Sequence, residues 1–216
     1  MFEIIPGILA HSLEEYVSRL DLVEHSQANW VHVDFMDGQF VPNISVMPHE
    51  IMSLAGTMLI EAHMMTFRPE RYYSDLAVAG ISRILLHREA FETFEECASA
   101  LRLAGDYFSE VGLVLNPITR VEPLQELQIS SIQCMGVPPG ASGQPFEPAA
   151  YGTIKAVASQ HLPIVLAADG AVSEETAGEL QKCGITRFVI SSRLFSGGNL
   201  DENISHYKRI LQGGTL

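Results

Sequence analysis

Eight short apolar runs recur along the chain, each separated from the next by an amphipathic or loop-like stretch: Glu3–Leu9, Trp30–Asp34, Leu59–Met65, Arg83–His87, Gly112–Asn116, Ser131–Met135, Pro163–Ala168 and Arg187–Ser191. Runs this short and this apolar read as strands buried on both faces. The intervening segments carry helix punctuation. Ser12 and Glu15 form a capping-box pattern at the head of Ser12–Glu24, glutamates open the segment Phe91–Ala104, and further helices are expected after Pro148 and Ser173. Such alternation predicts a parallel sheet with right-handed crossovers, and eight repeats let it close into a (β/α)8, or TIM, barrel. An open doubly wound sheet is the competing architecture.

The 216 residues allow about 27 per strand–helix unit, enough for one well-buried core and too few for two comfortable domains. No charge run, Ser/Gly linker or low-complexity tract divides the chain, so residues 1–216 are read as a single barrel domain, with Gly213-Gly214 as a frayed tail. Thirteen Lys plus Arg against 26 Asp plus Glu give a net charge of −13, which opposes non-specific attraction to nucleic acid or anionic lipid. An anionic small substrate therefore needs local help from backbone amides or a metal. The opening Met1-Phe2-Glu3-Ile4-Ile5-Pro6 has neither a basic region nor a long apolar stretch, so the expectation is a cytoplasmic protein without a signal peptide or membrane span. Cys97, Cys134 and Cys183 are odd in number, widely spaced and lack a Cys-x-x-Cys pair; they read as small buried hydrophobes.

In a barrel of this kind the carboxyl ends of the strands converge on one mouth, however far apart they lie in sequence. The segment His32-Val33-Asp34-Phe35-Met36-Asp37-Gly38 alternates so that His32, Asp34 and Met36 share one side of a strand and its exit. The third strand adds His63 and the seventh ends in Asp169. Two imidazoles and two carboxylates make a mixed nitrogen and oxygen set suited to Zn, Fe, Mn or Co rather than to an ion that prefers thiolates. Taken singly, each has a plainer reading: a strand-end histidine is commonly a hydrogen-bonded structural group, and an aspartate there commonly caps a helix. Joint placement at several strand ends favours function. Met36, Met65 and Met135 also fall near strand ends, where methionine ordinarily fills gaps in a core.

The stretch His32-Val33-Asp34-Phe35-Met36-Asp37-Gly38-Gln39-Phe40-Val41-Pro42-Asn43 resembles the signature of the ribulose-phosphate 3-epimerase family. The resemblance continues in order through His63-Met64-Met65, His87-Arg88-Glu89, Gly112–Thr119, Met135–Gln144 and Asp169-Gly170. It implies that His32, Asp34, His63 and Asp169 hold one divalent metal, with Asp34 and Asp169 as the acid/base pair and no organic cofactor. It also implies that Met36, Met65 and Met135 line the site of an enediolate, and that a sugar phosphate is held near Gly140, Ala141, Ser142 and Gly143, near Gly170 and Ala171, and near Ser191 and Ser192. Inverting a carbon beside a ketone means removing its proton and returning one to the opposite face, a task for two carboxyl groups flanking the substrate. A homo-oligomer is compatible with the resemblance.

The departures fall among residues assigned to substrate. Where the family usually has Pro-Ser-Ile on the first strand, this chain has Pro6-Gly7-Ile8. The usual Asn-Pro-Gly-Phe-Gly-Gly-Gln becomes Pro138–Gln144, Asp-Gly-Gly becomes Asp169-Gly170-Ala171, and the Gly-Ser of the eighth strand becomes Ser191-Ser192. The leading expectation is a metal-dependent 3-epimerase of D-ribulose 5-phosphate, with another pentulose or hexulose phosphate as the nearest alternative. A decarboxylase built on an Asp-x-Lys-x-x-Asp array is disfavoured, because Met36 stands where that array needs a cation. The non-enzyme alternative is a sugar-phosphate-binding paralogue, which the intact Asp34 and Asp169 oppose and the altered phosphate motifs favour.

Overall fold

The computed structural model describes residues 2–52, 54, 58–141 and 143–213. Its eight strands are β1 (Glu3–Ile8), β2 (Trp30–Met36), β3 (Leu59–Met65), β4 (Arg83–His87), β5 (Glu110–Leu115), β6 (Ser131–Met135), β7 (Val165–Asp169) and β8 (Arg187–Ile190). Each pairs in parallel with the next, and β1 pairs with β8 to close the barrel. All eight expected strands are present, with shifted ends. β2 runs on to Met36, so Asp34 lies within the strand rather than at its end, and β7 begins at Val165, after Pro163, whose missing N–H cannot join a ladder.

Period-two alternation divides each strand between two environments. On β2, Val31, Val33 and Phe35 join the large apolar shell between strands and helices, leaving His32, Asp34 and Met36 to the barrel interior. The same shell takes Ala62 and Met64 of β3 and Ile84 and Leu86 of β4. Helices supply its other half. On the helix Leu200–Leu211, Leu200, Ile204, Tyr207 and Leu211 form one buried face, while Asp201 and Glu202 in the first turn and Lys208 and Arg209 in the last complement the helix dipole.

At the head of α1 (Leu13–Glu24), Ser12 Oγ accepts the Glu15 N–H at 3.2 Å, a cap worth about 1 kcal/mol. The Glu15 carboxylate reaches one residue further back than a capping box requires and takes the His11 N–H at 2.9 Å. The segment expected as a helix from Phe91 begins three residues later, as the helix Phe94–Ala104, because Thr93 caps it and Glu96 closes a capping box there. Cys97 and Cys134 are buried as expected, whereas Cys183, at the end of the helix Glu174–Lys182, is only half-buried. Among the described residues no helix is long and apolar enough to cross a membrane.

Candidate active site

Register brings the separated residues together. β2 and β3 pair Asp34 with His63 and His32 with Glu61, and β6 and β7 pair Met135 with Asp169. His32, Asp34, His63 and Asp169 are all buried, and each offers one ligand atom lying within 4.8 Å of the others. His63 Nδ1 is 2.8 Å from Asp34 Oδ1 and 3.5 Å from Asp169 Oδ2; His32 Nε2 is 3.2 Å and 3.6 Å from the same two oxygens.

The outer nitrogens of both imidazoles are engaged. His32 Nδ1 donates to Glu61 Oε1 at 2.7 Å, and Glu61 Oε2 accepts from the Arg83 guanidinium at 2.6 Å. Arg83 in turn donates to Glu110 and lies 3.8 Å above the Trp30 ring. His63 Nε2 contacts His87 Nε2 at 2.8 Å, and His87 Nδ1 contacts Glu89 at 3.2 Å. A carboxylate only accepts, so His87 places its proton on Nδ1 and must accept at Nε2 from His63. With His32 Nδ1 and His63 Nε2 taken by these outer contacts, His32 Nε2 and His63 Nδ1 are both left facing Asp34 Oδ1 and Asp169 Oδ2. Two imidazole nitrogens and two carboxylate oxygens converging in this way are a suitable donor set for a divalent cation, so the residues fit the metal.

Burial opposes ionisation throughout the cluster, and the hydrogen bonds decide where it wins. For Asp34 the contacts from His32 and His63 outweigh burial and hold its carboxyl well below the usual carboxylate range. For Asp169 burial prevails over the attraction of His32, with Asp34 adding repulsion, and its carboxyl is raised. Two neighbouring carboxyls with affinities pushed apart are suited to having one accept a proton while the other donates. Glu61 is lowered to about 2, because contacts with His32 and Arg83 overcome its burial. His87 is pushed down to about 4, chiefly by burial, and stays neutral.

A cavity of about 180 Å³ opens beside the cluster. Asp34, His63 and Asp169 form its floor together with Met65 and Met135. Its far wall takes in Gly140, Ala141 and Gly143, then Gly170 and Ala171, and finally Ser191 and Ser192. Three of the expected site residues do not line the cavity, though His32 belongs to the cluster beneath it. His32 is buried beneath the floor, Met36 packs behind Met65 against Val41, and Gly7 is buried and absent from the lining. Ser142 lies outside the described residues.

The loop after β6 is tied down by Asn43, whose side chain donates to the Gly140 carbonyl at 2.6 Å, and by Gln144, which donates to the carbonyls of Pro138 and Ala141. Gly170 has φ 84°, and a Cβ there would come within 2.6 Å of Val137. Ala171 also takes the left-handed region, with φ 54°, a conformation that glycine adopts without a Cβ penalty.

Sequence reasoning assigned no role to the outer partners Glu61, Arg83, His87 and Glu89, nor to Gln133 and Arg193, although His87-Arg88-Glu89 is part of the resembling pattern. Gln133 Nε2 donates to Asp169 Oδ2 at 3.3 Å, and Arg193 lines the cavity mouth as its one cation among the described residues. Period two could have found most of them: Glu61 precedes His63 by two, Gln133 precedes Met135 by two, and a charged or amide group facing a barrel interior needs a partner there.

The chain matches the model of the "Ribulose-phosphate 3 epimerase family" over residues 3–195. Relatives named ribulose-phosphate 3-epimerase include one from Mycobacterium tuberculosis, 30% identical over 200 residues and covering 89% of this chain and 85% of that protein. One from Schizosaccharomyces pombe is 29% identical over 211 residues, covering 94% and 91%. A cytoplasmic isoform from Oryza sativa is 27% identical over 219 residues, covering 98% and 95%. Among solved structures, KGPDC from Streptococcus mutans superposes with a TM-score of 0.70 at 12% identity, covering 99% of each chain, a likeness of fold alone.

Proposed function

The chain belongs to the ribulose-phosphate 3-epimerase family and is an isomerase of the epimerase class, and on that premise we propose that it interconverts D-ribulose 5-phosphate and D-xylulose 5-phosphate by proton transfer between Asp34 and Asp169. The observation that carries this reading is the convergence of those two buried carboxyl groups, with opposite proton affinities, on one small cavity. Asp34 on β2 and Asp169 on β7 reach the cavity from separate parts of the barrel wall, so a planar intermediate between them is addressed on both faces. The ionised carboxylate removes the C3 proton, the protonated one returns a proton to the other face, and the two exchange roles after each turnover.

His32, Asp34, His63 and Asp169 would hold one divalent metal, which as a Lewis acid stabilises the negative charge developing on substrate oxygens. Glu61 and His87 orient the imidazoles that face it. Met65 and Met135 give the floor an apolar, polarizable surface beside that charge and exclude water from it. At the other end, the amides of Gly140, Ala141 and Gly143, of Gly170 and Ala171, and of Ser191 and Ser192 receive the phosphate, with Arg193 offsetting its charge in a strongly acidic chain. The whole chain acts as one domain, and a cytoplasmic setting agrees with the name of the rice relative.

Turnover of a small panel of ketose phosphates by the purified protein tests the reading. Epimerisation of D-ribulose 5-phosphate at C3 is the expected result. A clear preference for a different ketose phosphate would move the substrate while keeping the chemistry, a shift that the substitutions at Gly7, Ala171 and Ser191 favour. Ligand binding without turnover by metal-loaded protein would leave the non-catalytic paralogue.

A further inference from the structure

Gly7 and Ser191 compete for one volume. β1 and β8 pair Pro6 with Ile190, which sets Gly7 and the residue just past the end of β8, Ser191, side by side at the cavity end of the barrel. A Cβ on Gly7 would overlap Ser191 Oγ, and would also lie 3.1 Å from Val189 Cγ1 and 3.3 Å from Ser191 Cβ. Gly7 is buried and does not line the cavity, whereas Ser191 is half-buried and does. Across its other edge Gly7 is paired with His32, so the contested volume stands between the imidazole cluster and the loop end of the cavity. The Ser191 hydroxyl is also uncommitted to the short helix Ser192–Phe195 that follows it, because it makes no capping hydrogen bond.

We propose that Ser191 is a specificity-determining residue whose hydroxyl contacts the substrate from β8, and that position 7 is glycine because that hydroxyl occupies the space a side chain on β1 would need. The loss of a first-strand hydroxyl and the gain of one on the eighth strand are then a single exchange rather than two independent substitutions. This rests on the epimerase reading of the cavity. A side chain at position 7 fits only if the Ser191 hydroxyl leaves its present place, so Gly7→Ser alone crowds the wall and Ser191→Gly alone leaves it bare.

The test is a double-mutant cycle on the full chain, with Gly7→Ser, Ser191→Gly and the combined variant, reading KM and kcat for D-ribulose 5-phosphate alongside thermal midpoint. Ser191→Gly removes one hydrogen bond and is expected to raise KM about 2- to 10-fold with kcat nearly unchanged. Gly7→Ser alone forces the Ser191 side chain aside, lowering the thermal midpoint and raising KM. The combined variant is expected to recover both the midpoint and KM to near the parent values, and this recovery is readable even if Gly7→Ser alone fails to fold. Penalties that simply add in the combined variant, or a Ser191→Gly enzyme with the parent KM, overturn the proposal. If the parent protein neither epimerises D-ribulose 5-phosphate nor exchanges its C3 proton, the functional reading falls and the recognition role with it. A fully active parent with an additive cycle removes the exchange alone.

Discussion

At the floor of the cavity, His32, Asp34, His63 and Asp169 stand on strands, fully or almost fully buried, and both imidazoles are gripped from behind by Glu61 and His87. At the loop end, Ala141, Gly143, Ser192 and Arg193 are exposed, and the backbone is held by a few side-chain contacts such as those of Asn43 and Gln144. The two ends also differ in what a substitution does. A buried cluster whose members satisfy one another loses several contacts when one changes, whereas an exposed loop loses one contact to water. The departures noted in the sequence fall among the residues we assign to substrate, and the groups we assign to proton transfer match the family pattern.

The contrast breaks most sharply at the aspartates. Asp34→Asn and Asp169→Asn should each lower turnover by at least ~10²–10⁴-fold, the usual worth of a general acid or base, with disturbed metal binding adding to the loss. Circular dichroism and metal content must accompany the rates. A folded, metal-loaded variant with turnover near the parent's would contradict the two-carboxylate chemistry.

Much of this was legible in the sequence, and the parts that were not share a cause. Alternating apolar runs located all eight strands because strands of a closed parallel barrel are buried on both faces. Inward-facing period two placed His32, Asp34 and Met36 on one side of β2. That Met36 packs behind Met65 and that Gly7 lies beneath Ser191 depend on contacts across strands, which one strand's pattern does not carry. The Glu61–Arg83–Glu110 network was hidden for the same reason, since its members lie on three strands.

That network sets the next scale of effect. Glu61→Ala leaves buried Arg83 and His32 without their shared carboxylate and should destabilise the fold by ~3–5 kcal/mol in denaturant titration. The milder Glu61→Gln should keep the fold yet weaken metal binding ~10–100-fold in chelator competition, as loss of an outer contact to a ligand typically does. Parent-like affinity would show that Glu61 does not orient His32.

Acid sharpens the same point. Because the Glu61 carboxyl is lowered to about 2 in the folded chain, its ionised form stabilises the fold above its unfolded value of 4.5 and that contribution disappears as pH falls toward 2. On the order of 3 kcal/mol should be lost across that window. Comparing unfolding free energies of the parent and Glu61→Gln between pH 5 and pH 2 checks it: the parent should fall more steeply, and parallel curves would remove the assignment.

The smallest effect belongs to the loop end. Ala171 holds a left-handed φ of 54° that glycine adopts without a Cβ penalty, so Ala171→Gly should raise stability by ~0.5–1 kcal/mol, seen as a higher denaturant midpoint. A lower midpoint would mean that the alanine methyl contributes packing that outweighs its strain.

The central claim joins the cluster to the chemistry, and proton NMR of D-ribulose 5-phosphate in deuterated water tests both together. The protein should incorporate deuterium at C3 as D-xylulose 5-phosphate forms, lose that activity on exhaustive chelation and regain it when a divalent metal is returned. Undiminished exchange by chelated protein, or no exchange by metal-loaded protein, would contradict the account.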